Sequence, residues 1–142
     1  MKLSDQTLEH WIILAKRIAE EIHSSQTRSD GSPYIAHPSR VAAAVADRLK
    51  PIAWLHDTLE DHPDKINIQA LRDLGFPSYV VDAVDVLTHR NKEPNLQYWA
   101  KIKRNPDALA VKLADINDNV NGKPSERARA KYDLALKFFS EP

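Results

Sequence analysis

Cysteine is absent from this chain, and glycine occurs only three times in 142 residues. The first absence excludes disulfides, thiolate metal sites and a cysteine nucleophile, and fits a reducing compartment. Long apolar runs are missing too. Nothing approaches the roughly 18 to 20 apolar residues of a membrane span, and the N-terminal MKLSDQTLEHW has no signal-peptide core. A soluble, cytoplasmic protein with no membrane partner is expected. Net charge is zero, with 20 Lys and Arg against 20 Asp and Glu. This argues against a nucleic-acid partner, because such proteins carry a basic excess. The charge is unevenly spread: His89 to Lys137 holds 11 basic against 6 acidic residues, and Met1 to Thr88 holds 9 against 13. Solvated helix faces are one reading of that asymmetry, and a basic wall facing a phosphorylated small molecule is the other.

The length suits one domain, residues 1–142, that buries a core without staples. Leu8, Trp11, Ile12, Ala15, Ile18, Ala19 and Ile22 follow the helical period, with Ser4 as N-cap. SSQTRSDGSPY reads as a loop. His37-Pro38 opens a second helix through Val41, Val45 and Leu49, with Pro38 in the first turn where its missing N–H is harmless. Pro51 starts a third that ends near His62-Pro63, and INIQALRDLG forms a short helix stopped by Gly75. FPSYVVDAVDVLTHR is rich in β-branched residues and could be a strand, but its length and the Val80, Val84, Leu87 spacing favour a helix. LQYWAKIKRN, PDALAVKLADINDNV and PSERARAKYDLALKFF are helical in spacing, with Pro106 and Pro124 in first turns. The expected fold is all-α, a single globular bundle of about eight helices. Trp11, Trp54 and Trp99 are expected in its core.

WLHDTLED, residues 54 to 61, puts four ionisable groups into a helix that also supplies core residues. On a helix His56 lies over Glu60 and Asp57 over Asp61, with Ile52, Leu55 and Leu59 on the side of His56 and Glu60. Elsewhere His37 sits at a helix start. Asp115 lies on the stripe Ala108, Lys112, Asp115, Asn119, beside the apolar stripe Leu109, Leu113, Ile116, Val120. Singly, each is more simply a cap, a satisfied core histidine or a solvated acid. Together, two imidazoles and two carboxylates suit a divalent cation such as Mn²⁺ or Fe²⁺ with positions left open, and Zn²⁺ less well. Glu60 and Asp61 are surplus to one ion and well placed to exchange protons with an attacking water and a leaving group. The alternative for them is an acidic helix end, which the macrodipole disfavours.

RSDGSPYIAHP (28 to 38), LHDTLED (55 to 61) and VKLADINDN (111 to 119) in this order resemble the HD-domain phosphohydrolases, and within them the RelA/SpoT-type hydrolase domain and the small alarmone hydrolases. The resemblance covers about residues 10 to 139. It implies an α-helical, Mn²⁺-dependent cytoplasmic enzyme that removes pyrophosphate from the 3′ position of guanosine tetra- or pentaphosphate, the alarmones of the stringent response. It implies His37, His56, Asp57 and Asp115 as metal ligands, and Glu60 and Asp61 as the acidic pair beside the attacking water. Arg28 would pack against the purine, Asn119 would contact the nucleoside, and Tyr132 would line the site. Lys112 is the best placed of several cations, with His89, Arg90, Arg127 and Lys131, to meet phosphate charge. Two places depart from the family pattern: Arg28-Ser29-Asp30-Gly31 where R-K-S-G is usual, placing an anion near a polyanionic substrate, and Ile116 to Gly122 where R-L-H-N-M-R-T is common. The alternatives are an HD phosphohydrolase of another nucleotide, such as an adenosine alarmone or a deoxynucleoside monophosphate, and a non-catalytic alarmone-binding module. A synthetase domain is not expected within this length.

Overall fold

The computed structural model describes residues 5–142 and is all-α; Ser4, the expected N-cap, lies outside the described residues. Nine α-helices occur among the described residues: α1 (Asp5–Ile22), α2 (Ala36–Ala43), α3 (Lys50–Leu55), α4 (Thr58–Asp61), α5 (Ile68–Asp73), α6 (Ser78–Leu87), α7 (Asn95–Lys103), α8 (Pro106–Asn121) and α9 (Glu126–Ser140). Counting α3 and α4 as one interrupted helix leaves eight. Among the described residues there is no strand, only an isolated antiparallel bridge between Thr27 and Pro33. No described helix is long and apolar enough to cross a membrane.

Helix α3 is the hub. Pro51 to Leu55 are all buried, and α1, α2, α6 and α8 pack around them. The debated stretch 76 to 90 is helical as α6, burying Val80, Val81, Ala83, Val84 and Leu87. Asn67 caps α5 by accepting from the Ala70 N–H, and Gly75 ends the short helix region at φ +88. A Cβ there would meet the Trp11 ring at 3.4 Å, an ordinary contact, so it is the left-handed backbone turn that favours glycine. Trp54 and Trp99 are buried, while Trp11 is half-buried against Phe76.

Four expectations are corrected. The second helix stops at Ala43 instead of reaching Leu49, because Lys50 folds back and its Nζ donates to the carbonyls of Ala42 (2.7 Å) and Val45 (3.0 Å). That side chain satisfies carbonyls left open at a helix end. The third helix is not continuous: it breaks at His56-Asp57, where Asp57 takes φ −107 and ψ −1. Pro124 precedes the cap of α9 instead of sitting in its first turn, since Ser125 accepts from the Ala128 N–H. On α8 the buried face is Ala108, Val111, Asp115 and Ile116, whereas Leu113 is 39% exposed. Helices α2, α3, α6, α7 and α9 all pack against α8, and Asp115 lies inside the buried face and not at its border.

Candidate metal centre and active site

Three elements bring the candidate ligands together. His37 is in the first turn of α2, His56 and Asp57 occupy the break between α3 and α4, and Asp115 is in the middle of α8. Their donor atoms all lie within 4.8 Å of one another. His37, His56 and Asp115 are 1%, 2% and 5% exposed, and Asp57 is half-buried. The break lets neighbours converge. Thr58, fully buried, donates its hydroxyl to the Leu55 carbonyl at 2.8 Å, satisfying a backbone group inside the interruption.

The hydrogen bonds on the outer side of each imidazole decide which nitrogen faces the centre. His56 Nδ1 donates to the Ala53 carbonyl (2.6 Å), an atom that can only accept. His37 Nδ1 donates to Asp118 Oδ2 (2.6 Å). Both Nε2 atoms therefore point inward. His37 Nε2 is 2.8 Å from Asp115 Oδ1, and His56 Nε2 is 3.3 Å from the same oxygen and 3.0 Å from Asp57 Oδ2. Neutral imidazoles in this tautomer would face carboxylate oxygens lone pair to lone pair, which is tolerable only with a proton or a cation between them. Two imidazole nitrogens and two carboxylates in one buried place fit a divalent cation.

The surrounding charges favour positive charge at this place. Burial opposes a charged His56, but the Asp57 charge and the Asp115 hydrogen bond outweigh it and hold the imidazole well above its ordinary pKa. For Asp115 burial is likewise outweighed, by the Lys112 charge and by the hydrogen bonds of His37 and His56, which hold the carboxyl far below its usual range. Lys112 donates to Asp115 Oδ2 at 3.1 Å and lies 5.5 Å over the Tyr98 ring. The Tyr34 hydroxyl donates to Asp57 Oδ2.

Glu60 and Asp61 are not part of the four-donor group, and both reach solvent, so Glu60 does not share the buried face of His56. They face different neighbourhoods. Glu60 accepts from the His89 backbone N–H (2.8 Å) and lines a cavity of about 70 Å³ with His89, Tyr98, Lys112, Lys131 and Tyr132. Asp61 accepts from Gln26 Nε2 at 3.1 Å. Partial burial first, and the Asp57 charge in addition, raise both carboxyls above their ordinary pKa.

Arg28 and Asn119 meet each other, with Arg28 Nη2 donating to Asn119 Oδ1 at 2.8 Å while Asn119 Nδ2 donates to Asp115 Oδ1 at 3.2 Å. Of the other cations, His89 and Lys131 reach the cavity beside Lys112. Arg90 pairs with Asp85, and Arg127 lines a separate groove. Asp30 is not a free anion. Its Oδ1 accepts from the Ser32 N–H (2.9 Å) and hydroxyl (2.6 Å), closing the turn that Gly31 makes at φ +85.

Five residues around the site, Gln26, His23, His62, Asp118 and Tyr34, have no role in the sequence reading. Gln26 Oε1 accepts from His23 Nδ1 and His62 Nε2, both at 2.7 Å, which turns its amide N–H₂ toward Asp61. Asp118 carries the outer bond of His37. Tyr34 and Asp118 each have a local signal, Tyr34 inside the motif that holds His37 and Asp118 inside the motif that holds Asp115.

No family model matches the chain. It is 43% identical over 131 residues to the bifunctional (p)ppGpp synthase/hydrolase SpoT of Escherichia coli K12, covering 79% of this chain and 18% of that one. It is 32% identical over 138 residues to the guanosine-3′,5′-bis(diphosphate) 3′-pyrophosphohydrolase of Haemophilus influenzae, covering 84% and 20%. A GTP pyrophosphokinase of Streptomyces coelicolor is 31% identical over 128 residues, covering 80% and 15%. The chain belongs with the HD-type, RelA/SpoT hydrolase-like domains. This HD-type chain spans a fifth or less of the length of these relatives. In the HD-type domain the His-Asp pair that names the group falls at the break between α3 and α4.

Proposed function

We propose that this HD-type domain is a cytoplasmic, Mn²⁺-dependent hydrolase that removes the 3′-pyrophosphate from guanosine tetra- or pentaphosphate, yielding GDP or GTP and pyrophosphate. The observation that carries the reading is the four-donor group within 4.8 Å, flanked by Glu60 and a cavity that presents Lys112, His89 and Lys131. His37, His56, Asp57 and Asp115 would hold the ion. Bound there, a divalent cation acidifies water and offsets charge developing on phosphorus.

The chain's own residues account for the rest. Water attacks the phosphorus of the 3′-phosphate, the bond from that phosphorus to the 3′-oxygen breaks, and a proton is taken from the water and returned to the 3′-oxygen. Glu60 and Asp61, with raised pKa values, suit those two transfers. Lys112 and Lys131 draw phosphate charge into the cavity. Arg28 packs on the purine, Asn119 contacts the nucleoside and Tyr132 closes the cavity wall.

A panel of 3′-pyrophosphorylated guanosine and adenosine nucleotides, with ordinary nucleotides, assayed in Mn²⁺ for pyrophosphate and orthophosphate release tests this. Pyrophosphate from the guanosine compounds with GDP or GTP is the expected result. Orthophosphate from a deoxynucleoside monophosphate, or alarmone binding without turnover in metal-loaded protein, overturns it.

A further inference from the structure

We infer that Asp118 is a positioning residue for the candidate metal ligand His37, fixing its tautomer and ring orientation, and that Arg40 in turn fixes the Asp118 carboxylate. The inference rests on the metal-centre reading above. His37 Nδ1 meets Asp118 Oδ2 at 2.6 Å, and at 1% exposure the ring has no water to take over that bond. An ionised carboxylate only accepts, so Nδ1 carries the hydrogen and the lone pair stays on Nε2, on the side of Asp115. A carboxylate on the far nitrogen of a ligand imidazole also makes that imidazole a stronger donor.

The arrangement is a box between two helices. His37 and Arg40 stand three residues apart on α2, Asp115 and Asp118 three apart on α8, so each pair shares a helix face. His37 Nε2 faces Asp115 along one side. Arg40 faces Asp118 along the other, Nε to Oδ1 at 2.6 Å and Nη2 to Oδ2 at 3.2 Å. The His37 Nδ1 bond to Asp118 closes the diagonal. Arg28 adds a longer ion pair, Nη1 to Oδ2 at 3.8 Å. Asp118 is thus held from three directions, with its side chain 14% exposed against 54% for Arg40. The second imidazole is oriented differently, by the Ala53 backbone carbonyl, which no substitution removes. Of the two histidines, only His37 has an orientation set by a side chain. Asp118 also lies in the stretch after Asp115 where the sequence leaves the family pattern.

Mn²⁺ affinity of metal-stripped protein, measured by the paramagnetic resonance of free Mn²⁺, tests this in wild type, Asp118→Ala, Asp118→Asn and Arg40→Ala, with circular dichroism as the control for folding. Asp118→Ala should weaken Mn²⁺ binding by about 10- to 100-fold. Asp118→Asn should recover most of that, because its side-chain carbonyl still accepts the Nδ1 hydrogen. Arg40→Ala should cost less than Asp118→Ala. A folded Asp118→Ala with wild-type affinity overturns the inference, as does an Asn variant no better than Ala. Should Asp118→Ala fail to fold, ¹⁵N resonances of His37 in the wild-type metal-stripped protein decide: hydrogen on Nδ1 supports the role, and hydrogen on Nε2 alone overturns it. A wild type that binds no Mn²⁺ defeats the metal-centre reading as well, which separates the two failures.

Discussion

Replacing Lys112 with methionine keeps the aliphatic stem and removes the charge that Asp115 faces. The side chains of the pair are 19% and 6% exposed, and Nζ lies 3.1 Å from Asp115 Oδ2. Breaking a buried ion pair costs about 3–5 kcal/mol when the surviving charge is left alone. Asp115 is not left alone. The imidazoles of His37 and His56 lie against its Oδ1, and Asn119 Nδ2 donates to the same oxygen at 3.2 Å. Those partners bring the expected loss to about 1–3 kcal/mol. At about 4 °C per kcal/mol for a domain of this size, Tm in EDTA should fall by about 4–12 °C. A bound cation shares the same carboxylate and adds about 2.7 kcal/mol when present at about 100 times its Kd. It should bind the variant more tightly, because the competing ammonium is gone. Scanning calorimetry of both proteins in EDTA and in excess Mn²⁺ should therefore show a gap that narrows with the metal. A variant with wild-type Tm in EDTA, or a gap that widens in Mn²⁺, would refute the reasoning.

Asp57→Ala and His56→Ala should abolish turnover and metal binding together, whereas Glu60→Gln should keep the metal, read by elemental analysis, and lose about 10²- to 10⁴-fold in kcat. The pH profile follows from the raised carboxyls. A proton acceptor works ionised, so kcat should fall as pH drops through a value above the ordinary carboxylate range; a limb at or below the ordinary value in a kcat–pH series would contradict the roles given to Glu60 and Asp61. Gln26→Ala should slow turnover without changing Mn²⁺ affinity, because it frees Asp61 and strips the acceptor from His23 and His62, and parallel kinetics and metal titration would check it.

The four candidate ligands stand out in the sequence through the short motifs that hold them and not through helical spacing, since His37 is at a helix start, His56 and Asp57 fall at a helix break, and only Asp115 is in the middle of a helix. What packing alone decides was not legible. Asp118 looks like a solvated position on α8, and its partner His37 is 81 residues away. Gln26 reads as loop filler until His62, 36 residues on, donates to it. On α8 the spacing of Leu109, Leu113, Ile116 and Val120 marks one stripe, whereas the packing of five neighbouring helices buries Ala108, Val111, Asp115 and Ile116, which no local pattern reveals. Helix α2 ended early for a similar reason: its terminal carbonyls are met by Lys50, a residue of the next helix.

The interruption between α3 and α4 also makes this protein vulnerable to being improved. A regular helix turns about 100° per residue, so adjacent side chains diverge; His56 and Asp57 converge because the helix gives way between them. Substitutions at Asp57 that raise helix propensity favour joining the two segments and strengthening the hub of the fold, whereas Thr58 is held by its buried bond to the Leu55 carbonyl. A library selected for heat resistance alone should collect such changes, with hydrolysis declining as melting temperature climbs. Selection for both traits together should leave Asp57 untouched and draw its gains from the exposed leucines at 96 and 134.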